Sequence, residues 1–186
     1  MSNESLTTGR RLAGYNMGTR KENDFYPTPD YAIDTILDRV NFDGLVWEPS
    51  CGNGAISNKL IQRGYDVKST DLHDYGYGVS GVDFMECQQD QTADNIMTNP
   101  PFNISTKYTL KALQLARKKV LILNKVTFLE GIQRRDKLFS LNKLRTAYIY
   151  GKRLQFDPTK KGGGTIAFAW FLFDNEYNGS PTLEWI

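Results

Sequence analysis

Residues 44–71 carry the pattern that most narrows the folds open to this chain. Gly44-Leu45-Val46-Trp47-Glu48 is a short apolar run, and Pro49-Ser50-Cys51-Gly52-Asn53-Gly54 follows with two glycines spaced G-x-G. Ile56, Leu60 and Ile61 then recur at helical spacing. Strand, tight turn and helix are the consequence. Glycines in such a turn let a ligand lie against the backbone, while the helix N-terminus offers unpaired amides. Twenty-three residues after Glu48, the run Tyr65-Asp66-Val67-Lys68-Ser69-Thr70-Asp71 reads as a second strand ending in a carboxylate, placed to accept from both hydroxyls of a ribose. The whole reads as a nucleoside-binding βαβ unit. A dinucleotide site is the competing reading, but Ser57 stands where G-x-G-x-x-G needs its third glycine.

Asn99-Pro100-Pro101-Phe102 is the second informative segment. Each proline fixes φ and disfavours the α region for the residue before it, so an aromatic ring follows a rigid extended elbow. The elbow lacks two amide hydrogens. The carbonyls of Asn99 and Pro100 are thereby available to accept hydrogen bonds from a ligand, and a bound amino group is the matching donor. Read alone, the tetrapeptide also suits a Pro-Pro turn at a strand end.

The net charge of +2 divides unevenly along the chain. Residues 1–103 hold 8 Lys and Arg against 15 Asp and Glu, whereas residues 104–164 hold 15 against 3. Such asymmetry predicts a basic face beginning after the elbow and favours a polyanionic partner, because phosphate contacts supply most sequence-independent affinity. Lys160 and Lys161, in the glycine-rich stretch 157–164, are the first candidates for phosphate contact. Arg134, Arg135, Lys152 and Arg153 come next.

A chain of 186 residues accommodates one sizeable core. No apolar stretch approaches the roughly 20 residues that span a bilayer, and no signal-peptide pattern opens the sequence. Only Cys51 and Cys87 are present, without metal-ligand spacing, so a cytoplasmic setting without membrane or metal is expected. The single histidine, His73, reads as a turn residue after the second strand.

Residues 1–24 lack an apolar period and read as a flexible basic arm, leaving 25–186 as a single domain. A helix is predicted from Thr28 as cap with Pro29 in its first turn, followed by the glycine unit. Strands are expected near 79–82, 94–98, 120–124, 144–150 and 165–173. Two further helices are expected, one capped by Ser105 or Thr106 and running to about Lys118, the other from Phe128 to Leu141.

With these motifs in this order, residues 25–174 resemble the S-adenosylmethionine (SAM)-dependent DNA adenine-N6 methyltransferases, especially compact forms carried by phages and mobile elements. Asp24-Phe25-Tyr26-Pro27-Thr28-Pro29 looks like the upstream motif that closes over the methionine end of the cofactor, implying contacts from Tyr26, Thr28 and Pro29. Glu48, Pro49, Gly52 and Gly54 match the glycine motif. Asp71 matches the ribose-binding acid, with Leu72 beside it. Asp83-Phe84 looks like the pair that hydrogen-bonds and packs on the cofactor's adenine. Asn99, Pro100, Pro101 and Phe102 match the catalytic tetrapeptide, with Asn99 also touching the cofactor; Asp is commoner than Asn in its first position.

The resemblance implies a class I Rossmann-like α/β fold with a mostly parallel seven-stranded sheet, an antiparallel last strand and helices on both faces. It implies methyl transfer to the exocyclic amine of adenine in DNA. RNA adenine and protein glutamine share the Asn form of the elbow and stay open as substrates, as does a catalytically silent nucleic-acid-binding domain. No block is left for a separate target-recognition domain, so sequence specificity is expected to be short, weak or supplied by loops.

Overall fold

A computed structural model describes residues 27–89, 92–157, 159 and 162–186. The expected arm, together with Tyr26, Lys160 and Lys161, lies outside the described residues. The described strands are β1 (Val46–Glu48), β2 (Val67–Ser69), β3 (Ala93–Thr98), β4 (Ala116–Lys125), β5 (Leu144–Ile149), β6 (Phe168–Asp174) and β7 (Thr182–Trp185). They form one sheet in the order β2-β1-β3-β4-β6-β5-β7. Only β6 runs against its neighbours, β4 and β5; the other pairs are parallel.

The α-helices among the described residues are α1 (Asp30–Leu37), α2 (Ala55–Gln62), α3 (Ser105–Leu115) and α4 (Ile132–Lys137). None is long and apolar enough to cross a membrane.

Side-chain alternation along β4 explains why both sheet faces are covered. Val120 through Leu123 have no solvent exposure. Leu121 and Leu123 join Ile33 and Ile36 of α1 and Leu60 of α2 in one core, together with Met97 and Trp170. Val120 and Ile122 point the other way, into a second core with Ala112 and Leu115 of α3, Trp47 and Phe171. Each such fully buried side chain contributes about 1.5–3 kcal/mol, and a strand buried on both faces reads as an unbroken apolar run.

Several boundaries depart from the sequence reading. Thr28 does not cap α1: Pro29 occupies the N-cap position with an extended ψ of 139° and no side-chain cap is made, while the Thr28 hydroxyl is used elsewhere. Neither Ser105 nor Thr106 caps α3, whose N-cap is Ile104. That helix ends at Leu115, and Asn175 donates to the carbonyls of Leu113 and Ala116. The strand expected near 79–82 reduces to one bridge between Thr70 and Val79. Gly76, Gly78 and Gly81 at positive φ turn the chain too often there for a ladder to grow. The helix expected from Phe128 to Leu141 is broken at Gly131, with φ of 110°, leaving α4 between two 3-10 turns. The antiparallel strand expected last is β6, and the unanticipated β7 follows it on the far edge.

Candidate active site

The order of the sheet fixes where a ligand is held. From β1 the chain moves outward to β2, then returns to β3 on the opposite side of β1. A crevice must therefore open beyond the carboxyl ends of β1 and β3, as at the switch point of any open α/β sheet. A cleft of about 680 Å³, its open mouth included, lies there. Its walls include Glu48 from the end of β1, Gly52 from the glycine turn, Asp71 and Leu72 from beyond β2, and Asn99 and Pro101 from the elbow after β3. Thr28 closes one side.

Residues fifty positions apart are thus brought to one cavity. Asn99 Nδ2 donates to Thr28 Oγ1 at 3.2 Å, which links the elbow to the segment before α1 and turns the amide oxygen away from Thr28. The turn itself is held by its acid: Gly52 N and His73 N donate to the two Asp71 oxygens, each at 2.9 Å. A carboxylate has about four lone-pair sites, so Asp71 retains acceptor capacity toward the cleft. Gly54 is required by its surroundings. It sits at φ +83°, and a Cβ there would lie 2.6 Å from the Tyr77 ring.

Glu48 is 2% exposed. Its Oε2 accepts from Ser57 N at 2.7 Å and from the Ser57 hydroxyl. Burial nevertheless dominates, raising its pKa from 4.5 to about 8, so the neutral acid prevails at pH 7. Burial likewise pushes the Cys51 thiol up to about 12, which leaves it a lining atom rather than a nucleophile. The Ser50 and Tyr108 hydroxyls meet at 2.6 Å, fastening the glycine turn to α3. Among the described residues, the cleft walls contain two carboxyl groups and neither lysine nor arginine, an environment suited to a cationic ligand that also carries hydroxyls.

Other site residues expected from the sequence stand apart. Phe84 is 3% exposed and sits in the second core, stacked on Tyr108 at 4.4 Å and edge-on to Trp47 at 5.3 Å. It does not line the cleft. Asp83 is exposed and caps the following 3-10 turn through Met85 N. Pro29, Pro49 and Gly54 do not line the cleft, and Pro100 lies between Asn99 and Pro101, which do.

Phe102 packs beside Phe168 at 5.6 Å with Lys125 Nζ 5.3 Å from its ring. The sequence reading missed Ser50, His73 and Tyr75 as cleft walls. The glycine pattern around 75–81 could have flagged His73 and Tyr75, because a strand was never compatible with it.

Among the described residues, the cations of the predicted basic face fall on more than one part of the molecule. Arg117, Lys118 and Lys119 stand at the amino end of β4, opposite the cleft. They are engaged by Asp94, Asp43 and the Asn41 carbonyl. Arg134 folds onto the Glu130 and Thr127 carbonyls, and Arg135 pairs with Asp136. Lys152 and Arg153 are exposed on the segment joining β5 to β6.

No protein-family model matches the sequence, and no curated protein sequence does. Solved structures match the fold. One is the modification subunit of a proposed type I restriction enzyme from Vibrio vulnificus YJ016, at 16% identity and a TM-score of 0.62, over 98% of this chain and 50% of that one. A proposed RNA methyltransferase from Pyrococcus horikoshii matches at 14% identity and 0.63, over 93% and 98% of the two chains. Magnesium protoporphyrin IX methyltransferase from Synechocystis PCC 6803, solved with bound SAM, matches at 13% identity and 0.57, over 94% and 92%. The chain spans half the length of the Vibrio subunit. At these identities the likeness establishes the fold, which is the class I Rossmann-like fold of SAM-dependent methyltransferases.

Proposed function

We propose that this protein transfers a methyl group from SAM to the exocyclic amino group of adenine in DNA. The observation that carries the proposal is the convergence of the Asn-Pro-Pro-Phe elbow, through Asn99 and Pro101, on the cleft that also holds Glu48, Gly52 and Asp71. The donor set fits SAM: among the described residues, two acids and no basic side chain face a ligand with a sulfonium, an ammonium and a ribose. Bound there, SAM supplies an electrophilic methyl group.

The remaining work falls to the chain. Asp71 accepts from ribose hydroxyls with lone pairs that Gly52 N and His73 N leave unused. Adenine's amine is a poor nucleophile because its lone pair is delocalised into the ring. With the Asn99 side-chain oxygen and the Pro100 carbonyl accepting its two hydrogens, the nitrogen would be drawn toward tetrahedral geometry and its lone pair freed to accept the methyl group, the electrons of the sulfur–methyl bond staying on sulfur and one amine proton passing to solvent. Positioning of this kind can lower a barrier by roughly 7–11 kcal/mol, and the same acceptors stabilise positive charge developing on nitrogen. The base leaves the helix first, and Phe102 is its stacking surface, offsetting about a few kcal/mol of unstacking.

The test is incubation with methyl-labelled SAM and, separately, duplex DNA, RNA and protein extract, followed by identification of the labelled product. N6-methyladenine in DNA, absent with Asn99→Ala, is the expected result. Label confined to RNA or to glutamine would move the substrate, and no transfer to any of the three would overturn the proposal.

A further inference from the structure

The elbow does not end at its prolines. Phe102 lies within 5.6 Å of Phe168, which in turn meets Phe156 edge-on at 4.9 Å. Phe102 and Phe156 are only half-buried and flank Phe168, which is buried in the core, so this aromatic strip opens at its two ends, one of them three residues beyond Asn99. Lys125, the last residue of β4, places its ammonium 5.3 Å from the Phe102 ring centre. Its strand register opposite Phe168 holds it there.

Lys68 also stands over a ring without an ion pair among the described residues, 3.8 Å from Trp47, but Lys125 is the one whose ring belongs to the elbow. Lys59, Arg63, Lys118 and Arg145 each meet a carboxylate. Lys125 is half-buried and makes no ion pair among the described residues. A ring face compensates an ammonium only weakly. A cation beside an aromatic strip matches the two chemistries of an unstacked nucleotide, a flat base and a phosphate.

We propose that Lys125 and the Phe102–Phe168–Phe156 strip form a nucleotide-binding subsite, in which the ammonium neutralises a backbone phosphate next to the base engaged by Asn99. The inference rests on the nucleic-acid reading above. It adds a positioning residue and a second aromatic wall to that reading, with Phe156 supplied by the same β5–β6 segment that exposes Lys152 and Arg153.

The experiment is fluorescence anisotropy with a labelled single-stranded oligonucleotide carrying one adenine among thymines, titrated across a salt series. Wild type, Lys125→Ala, Lys125→Arg and Lys118→Ala are compared, each checked for an unchanged melting temperature and SAM affinity. Lys125→Ala is expected to bind about 5- to 20-fold more weakly and to lose about 0.7 from the slope of log affinity against log salt, the value of one single-strand phosphate contact. Lys125→Arg restores both, and Lys118→Ala changes neither. Equal affinity and slope for wild type and Lys125→Ala would overturn the subsite while leaving the wider reading intact. A wild type that binds no oligonucleotide would overturn both.

Discussion

Asn99 and Thr28, 71 residues apart, are joined by a single hydrogen bond of 3.2 Å in which the asparagine amide nitrogen donates to the threonine hydroxyl. The bond gives Asn99 an orientation that the rigid backbone of Pro100 and Pro101 alone does not. Asn99→Ala should therefore abolish methyl transfer with SAM affinity nearly intact. Thr28→Val keeps shape and removes the acceptor, and it should lower the single-turnover rate about 3- to 10-fold, the worth of roughly one hydrogen bond. Transfer by Asn99→Ala within tenfold of wild type would remove Asn99 from the reaction.

Asp71 serves two masters. Its oxygens already accept from Gly52 N and His73 N, so truncation to alanine disturbs the turn as well as any ligand. Asp71→Asn is the cleaner change, retaining one acceptor oxygen and losing the charge. It should weaken SAM binding by about 1–3 kcal/mol, the range for hydrogen bonds to a charged group. Calorimetry showing unchanged affinity would take Asp71 out of the ligand site.

Glu48 makes stability and binding depend on pH in opposite directions. Burial raises its pKa from 4.5 to about 8, so the unfolded chain loses this proton near 4.5 while the folded chain keeps it to about 8. Between these values the folded state binds more protons, and by linkage its stability falls as pH rises. The melting temperature should decline across pH 5–8 by an amount that Glu48→Gln removes. A cationic ligand favours the ionised form, so SAM affinity should rise over the same window with release of a proton. Calorimetry in two buffers of different ionisation enthalpy measures that proton, and a pH-independent affinity would place Glu48 away from the ligand's charge.

Phe84 separates a packing role from a binding role. Stacked on Tyr108 and edge-on to Trp47, it should cost about 3–5 kcal/mol of stability on change to alanine, as buried phenylalanines do. Below the lowered melting temperature, SAM affinity should stay within about threefold of wild type. A large loss of affinity in folded protein would return Phe84 to the adenine contact that the sequence suggested.

What the sequence disclosed was local. The βαβ unit at 44–71, the apolar run Val120–Leu123 and the elbow were visible because periodicity, glycine spacing and paired prolines are written in neighbouring residues. What it hid was set by tertiary competition. Thr28 has the chemistry of a helix cap, but its hydroxyl is taken by Asn99. Phe84 follows Asp83 as the family motif asks, yet the space between Trp47 and Tyr108 draws its ring inward. Lys125 gave no signal at all, because a lysine at the end of an apolar strand looks like any solvated terminus until Phe102 is seen beside it.

The charge asymmetry is the clearest case of sequence proximity misleading about space, and it yields the last prediction. Arg117, Lys118 and Lys119 are consecutive, but they lie at the amino end of β4 and are engaged by Asp94, Asp43 and the Asn41 carbonyl. Lys152 and Arg153 are exposed on the β5–β6 segment that also carries Phe156. On the proposed function, a duplex that delivers its base to Asn99 is expected to lie along the second group. Changing Lys152 and Arg153 together to alanine should lower the salt slope of duplex binding by about 1–2, at about 0.9 per phosphate contact, and weaken binding alike across sequences. The same change at Lys118 and Lys119 should leave the slope where it was. If instead the β4 pair governs the slope, the nucleic acid approaches from the amino ends of the strands, and the cleft is not where its base is methylated.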